Sequence, residues 1–356
     1  MGIICDGLEA RGAQLFRLPT NVTRARAEHA RSFAHYAEKA YGFIRNVEQI
    51  ASARNSAAGA TVYLVPDGGA GVAFSAAYAQ AAATLFPRLV IHHRNYSHIR
   101  NRSRFMARLL TTAPDRALHV FLDPVMEERF KAVYSADIRS IYVPNAATCD
   151  VEPGTHERGP GSDVSLSIGF LSNLVEDKGF DVVAEAFQNL AQRLGPSVRF
   201  LLAGRPVGDA NAARLAALHR ALGDQLDYQG EVFGDAKAEF FRTCDVFVFP
   251  TRFRQEAQPN VLYEAMAGGA AIVATRWAGI PWVLDGTVCR MIDAGPGGAD
   301  DLSSAVEDLL GSGELQTARK LQIEAFRAKK SDADERYKRL LDYLLGEVEC
   351  SEPGGP

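Results

Sequence analysis

Short apolar runs alternate along this chain with longer stretches whose apolar positions recur every three or four residues, the pattern of parallel α/β units. In the first half, Thr61–Val65, Leu89–His92, Leu118–Leu122 and Ser140–Val143 predict buried strands, with helical stretches such as the alanine-rich Ala73–Leu85 between them. The rhythm breaks at residues 151–163, VEPGTHERGPGSD, where glycine, proline and charge leave no period of either kind, so an interdomain linker is expected. It then restarts. Leu166–Phe170, Val198–Leu202, Leu226–Tyr228, Val246–Phe249 and Ala271–Thr275 predict strands, and Phe180–Leu194, with Val183, Phe187 and Leu190 on one face, predicts an amphipathic helix. Ala210–Leu222, Ala236–Thr243 and 259–267 predict further helices, and a charged amphipathic helix is expected over 331–349. Two consecutive doubly wound domains follow, residues 1–155 and 156–330. Ligands of such sheets bind at the carboxyl ends of the strands, so the loops there carry the chemistry.

A length of 356 residues suits two domains of this kind. With 47% hydrophobic and 23% charged residues, the composition excludes a disordered or collagenous chain. The net charge of -4 gives no overall bias toward nucleic acid or anionic surfaces, so local charge matters more. Five cysteines, at positions 5, 149, 244, 289 and 350, form no CxxC pair and point to a reducing compartment. No apolar run reaches the roughly 18–20 residues that span a bilayer, and MGIICDGLEARG carries acids early where a signal peptide has bases. A soluble, cytoplasmic protein is expected.

The most informative stretch is Phe249–Ile280, FPTRFRQEAQPNVLYEAMAGGAAIVATRWAGI. Pro259 suits a first helical turn and Gly268-Gly269 a helix stop. Glu256 then lies in the loop before the helix and Glu264 inside it, with free backbone N–H groups at Gln258, Asn260 and Val261 between them. A helix start holds a phosphate, and a carboxylate on either side accepts from hydroxyls. One acid facing a sugar and the other a ribose, with a diphosphate between them, makes a coherent nucleotide-sugar site. The same spacing also occurs on a solvated helix edge.

The run E-x7-E, AMAGG-A-x-I-V-A-T, G-I-P resembles the donor-binding segment of retaining GT-B glycosyltransferases of the group 1, family 4 type. Upstream, Gly169–Phe180 (GFLSNLVEDKGF) is similar to that family's strand–loop–Lys-Gly element, Phe200–Arg205 (FLLAGR) to the strand whose glycine turn lies near the base, and Asp245–Pro250 (DVFVFP) to the strand feeding the glutamates. The resemblance implies an α/β GT-B fold: two Rossmann-like domains facing across a cleft, with the final helix crossing back to the first domain. It implies that Lys178 contacts the donor diphosphate, Glu256 the transferred sugar and Glu264 the ribose, with Gly204 and Arg205 near the base. A fixed cation at the leaving phosphate favours the transition state over the ground state. Where the family carries arginine five residues before the lysine, this chain has Asn173, which lacks the charge and the bidentate fork. Either Lys178 and the helix start suffice, or another arginine (Arg205, Arg252 or Arg254) substitutes, or turnover is weak. Trp282 replaces a customary glutamate after Gly-Ile-Pro. No DxD-like site accompanies the strand ends, so a metal-independent enzyme without cofactor is expected.

In the first half, Val62–Gly71 and Leu89–Arg94 are similar to strand ends of the acceptor side. The glycines of Asp67-Gly68-Gly69 permit the close backbone approach of a loop over a sugar or phosphate, or form a plain turn. Of His92 and His93 at a strand end, His93 is the family-like candidate for the active site. Arg88, Arg94, Arg100, Arg102, Arg104 and Arg108 cluster within residues 88–108, interleaved with Tyr96, Ile99, Phe105, Met106 and Leu109. This stretch suits anionic headgroups at the inner face of a membrane, a diphosphate-bearing acceptor, or a solvated basic face. Nucleic acid is not an expected partner. At the start, a helix Ile4–Arg11 and a strand Gln14–Leu18 are predicted, which leaves the first domain short of its first, central strand.

Together these readings point to a retaining glycosyltransferase that moves a sugar from a nucleoside-diphosphate donor to a hydroxyl of a glycan or lipid-linked acceptor, in bacterial polysaccharide synthesis. The alternatives are a degenerate sugar-nucleotide-binding scaffold and, less favoured by E-x7-E, a sugar-nucleotide epimerase.

Overall fold

The computed structural model describes residues 2–18, 33–53, 59–111, 117–154, 166–295 and 297–348. The chain divides into two compact units, Met1–Val143 with Glu335–Pro356, and Pro144–Asp334. Both are parallel sheets layered with helices.

The first unit contains β1 (Thr61–Leu64), β2 (Arg88–His92), β3 (Ala117–Phe121) and β4 (Ser140–Tyr142), paired in chain order. β2 and β3 are apolar along nearly their whole length, as strands covered on both faces must be. Phe121, Met126 and Phe130 are fully enclosed beside them. The amino-terminal helix, Gly2–Glu9, buries Ile4 and Leu8 and ends before Gly12, whose φ of 80° turns the chain. The strand expected at Gln14–Leu18 does not form. QLFRL carries three apolar residues in five, but Phe16 is 67% exposed and the segment has no sheet neighbour among the described residues. β1 lies at the edge of the described sheet. A long helix, Phe33–Ala53, adds to the elements expected from the apolar pattern.

The second unit contains β5 (Leu166–Leu171), β6 (Val198–Ala203), β7 (Leu226–Tyr228), β8 (Val246–Phe249), β9 (Ala271–Thr275) and β10 (Cys289–Ile292), in the order β10-β9-β8-β5-β6-β7. The order reverses between β5 and β8, the switch point at which doubly wound sheets hold ligands. β10 and the helix Gly298–Gly311 are further elements beyond those expected. The division between units falls before the stretch expected as linker because Pro144–Gly154 runs along the second unit: Gly154 N donates to Ala267 O at 2.9 Å. Residues 155–163 lie outside the described residues.

The last helix, Leu315–Leu345, starts well before the expected 331. Its first half is tied into the second unit by Arg319, which donates to Gly268 O and Arg242 O, and by buried Gln322, which donates to Ala270 O. From Glu335 on it belongs to the first unit, where the Arg336 guanidinium sits 3.9 Å over the Tyr142 ring. No helix among the described residues is long and apolar enough to cross a membrane.

Candidate active site

Three loops leave the carboxyl ends of β5, β6 and β8. The loop after β5 makes a single 3-10 turn at Glu176–Lys178 and passes through Gly179, at φ 84°, into the helix Phe180–Leu194. A Cβ on Gly179 would collide with the Pro250 carbonyl, so only glycine lets this loop close on the one after β8. Arg252 N then donates to Asp177 O at 2.9 Å, locking the two loops together.

That locking brings Lys178 to Glu256. The ammonium donates to Oε2 at 2.5 Å and lies 4.5 Å over the Phe253 ring. Both side chains are largely shielded, at 20% and 11% exposure, which strengthens the attraction relative to a surface pair.

Helix Asn260–Gly268 follows, with no side-chain cap at its start and an αL glycine, Gly269, at its end. Asn260 is exposed and Val261 half-buried at the amino-terminal turn. Gln258 has a structural job: its side-chain carbonyl accepts from Asn145 N at 3.0 Å and from the Tyr263 hydroxyl at 3.1 Å. Glu264, one turn inside the helix, is 9% exposed. Its Oε1 accepts from Lys237 Nζ at 2.6 Å, while its Oε2 is buried without a hydrogen-bond partner. Behind it, burial first and the Glu264 charge second push the Cys149 thiol up to about 12. The arrangement leaves one oxygen of the Glu264 carboxylate as a buried acceptor inside the helix that starts at Asn260.

Gly204, after β6, adopts φ 128°, and a Cβ there would collide with the Ser172 carbonyl oxygen. Asn173 and Arg205 are both exposed on these adjoining loops. Arg252 is engaged elsewhere, donating to Asp181 Oδ2 at 2.6 Å.

In the first unit, Asp67-Gly68-Gly69 bends into the 3-10 segment Gly69–Gly71, with Asp67 N donating to Ser75 Oγ and Asp67 O facing His98 Nε2 at 2.8 Å. His93 lies in an aromatic cluster and faces no open surface. Its Nε2 meets His119 Nδ1 at 2.9 Å, and its ring stacks 4.6 Å from that of Phe121. His92 is equally enclosed, with Nδ1 at 2.5 Å from the Tyr63 hydroxyl. β2 is covered on both faces, so alternation sends neither ring to solvent. Desolvation pushes His92, His93 and His119 below the ordinary histidine range, His119 to about 3. In the arginine-rich stretch, Tyr96, Met106 and Leu109 are core residues, while Arg102, Arg104 and Arg108 are exposed.

Residues 165–312 match the profile of the family described as Glycosyl transferases group 1. The matched segment lies within the second unit. No protein of curated function matches the chain by sequence. Among solved structures, the pneumococcal O-GlcNAc transferase GtfA, in complex with UDP and GlcNAc, superposes with a TM-score of 0.65 at 14% identity, over 83% of this chain and 60% of GtfA. This chain thus spans about 60% of that relative's length. Anabaena HepE in complex with UDP-glucose gives 0.61 at 15% identity, over 86% and 82% of the two chains. A glycosyltransferase from Rickettsia africae gives 0.65 at 12%, over 97% and 88%. At 12–15% identity these likenesses show the fold alone, the two-sheet GT-B arrangement.

Within the second unit, Lys237 and Asn145 carry no motif that marks them in the sequence. Lys237 lies on the helix Gly234–Thr243, far along the chain from Glu264, and only the packing of that helix against Asn260–Gly268 joins them.

Proposed function

We propose that the protein is a retaining, metal-independent glycosyltransferase that uses a nucleoside-diphosphate sugar. The observation that carries the reading is the Lys178–Glu256 contact between residues 78 positions apart, at the carboxyl edge of the sheet and beside the open start of a helix. A bound donor would exchange this contact for two others: Lys178 on the leaving phosphate and Glu256 on the hydroxyls of the transferred sugar. The helix start adds backbone donors to the diphosphate, and Glu264 Oε2 takes the ribose.

The acceptor hydroxyl attacks the anomeric carbon from the face that the diphosphate leaves. The bond from that carbon to the diphosphate oxygen breaks, the bond to the acceptor oxygen forms, and the hydroxyl proton passes to a leaving phosphate oxygen. Lys178 stabilises the charge that develops there. No separate base is needed.

The first unit is proposed to take the acceptor, a glycan or a lipid-linked sugar of bacterial surface polysaccharide. Exposed Arg102, Arg104 and Arg108 would meet its diphosphate or neighbouring anionic headgroups, on the cytoplasmic side. Uridine donors come first in any trial, since GtfA and HepE were solved with UDP and UDP-glucose. Asn173 favours a second reading, a protein that binds the donor without turning it over.

Donor hydrolysis separates the two. Release of UDP from a panel of UDP-sugars by the purified protein, lost in both Lys178→Ala and Glu264→Gln, supports the transferase. Donor binding by the wild type with no turnover in the presence of any acceptor extract supports the binder.

A further inference from the structure

The family-like arginine is missing at position 173, and the chain that runs beside that position after β6 carries Arg205. Beyond their last residues, β5 and β6 stay side by side: Ser172 N donates to Ala203 O at 3.2 Å, Leu174 N to Arg205 O at 2.9 Å and Val207 N to Leu174 O at 3.4 Å. The pairing Leu171↔Ala203 and the bridge Leu174↔Pro206 have the same offset, which sets Asn173 opposite Arg205. Register partners of adjacent strands project to one face. Burial agrees, since Leu174 is fully enclosed with Pro206 half-buried, while Asn173 and Arg205 are both exposed.

Gly204 makes the approach close. At φ 128° it donates its N–H to Gly230 O at 2.6 Å and accepts from the Tyr228 hydroxyl at 2.9 Å, and its missing side chain leaves room for the Ser172 carbonyl. The backbone that launches Arg205 is therefore held on both sides. Its guanidinium makes no ion pair or hydrogen bond with the described residues, whereas Arg252 is committed to Asp181.

We infer that Arg205 supplies the second cation for the donor diphosphate, standing in across the ladder for an arginine at 173, with the Asn173 amide as its neutral companion. The inference rests on the donor site proposed above. Lys178 on the loop after β5 and Arg205 on the loop after β6 would then grip the phosphates from two sides, and the guanidinium would contribute a bidentate contact that an ammonium cannot.

The test titrates UDP, GDP and ADP, and the nucleoside of the tightest binder, against wild type, Arg205→Gln, Arg254→Gln and the pair Arg205→Gln with Asn173→Arg, each shown by thermal melt to be folded. Arg205→Gln is expected to weaken the diphosphate about tenfold, the size of a charge-assisted contact, and the nucleoside less than about twofold, because only the phosphates are touched. Adding Asn173→Arg is expected to restore most of the lost affinity. Equal weakening of nucleoside and diphosphate would place Arg205 on the base, and an effect of Arg254→Gln in its stead would place the cation on the other loop. Either result, or no effect of Arg205→Gln, overturns the inference and leaves the donor site standing. If none of the three diphosphates binds the wild type below about 1 mM, the donor site and the inference fall together.

Discussion

Lys237 donates to Glu264 Oε1 at 2.6 Å while the other oxygen of the same carboxylate, Oε2, is buried with no hydrogen-bond partner. One half of the acid is thus held by a cation of a neighbouring helix, and the other half is a buried acceptor. A buried lone acceptor costs about 1–3 kcal/mol, so a ribose diol placed there would gain more than it would on a solvated carboxylate.

Lys237→Met should therefore weaken both donor binding and the fold. Without its cation, the Glu264 carboxylate loses the contact that fixes its position and is left a buried charge without its partner. UDP affinity is expected to fall about tenfold and unfolding free energy by about 1–3 kcal/mol. Lys237→Met combined with Glu264→Gln should recover part of the stability but none of the binding. Calorimetric titration and urea melts of the three variants check both halves.

Lys178→Ala should act on turnover more than on substrate capture. The charge it meets grows as the sugar–phosphate bond breaks, so kcat is expected to fall about 10²–10³-fold with a much smaller change in KM. An equal change in both would mean that the lysine binds ground and transition states alike.

At Gly179, alanine should be poorly tolerated. The positive φ opposes it, and so does the Pro250 carbonyl, which occupies the space a methyl group would need. A loss of about 3 kcal/mol or more in denaturant unfolding is expected, with activity lost beyond what stability explains, because the loop carries Lys178.

Acid should destabilise the first unit before it reaches the carboxylates. Burial holds His119 at about 3 in the folded chain, against about 6.5 when unfolded. The unfolded state therefore binds the extra proton first as pH falls from about 6.5 toward 3, and stability drops over that window, by up to about 1.4 kcal/mol per pH unit for each such histidine. His92 and His93 shift in the same direction. Urea melts from pH 7.5 to 4.5 should show this slope, shallower in His119→Leu even though that variant starts lower.

Much of this protein was legible along the chain. The apolar runs that became β2, β3, β5, β8 and β9 are largely buried because apolar residues fall on both faces, and that shows without coordinates. The loop-then-helix position of Glu256 and Glu264 followed from Pro259 and Gly268-Gly269, local signals that act within a few residues. The strand expected at Gln14–Leu18 shows the limit: its residues are apolar enough for one, but a strand exists only when a neighbour completes its ladder, and none lies beside it among the described residues.

What folding alone decided is which distant residues meet. His93 became a core ring because β2 was covered on both sides, a fact of the layers and not of the histidine. Lys178 reached Glu256 because Gly179 lets two loops touch; Lys237 reached Glu264 because two helices pack; Arg205 came to stand opposite Asn173 because two strands share a register. Periodicity is a property of neighbours in sequence and can be read from it. A pair of charges brought together across a sheet edge depends on register and packing, which are set only when the whole sheet has formed.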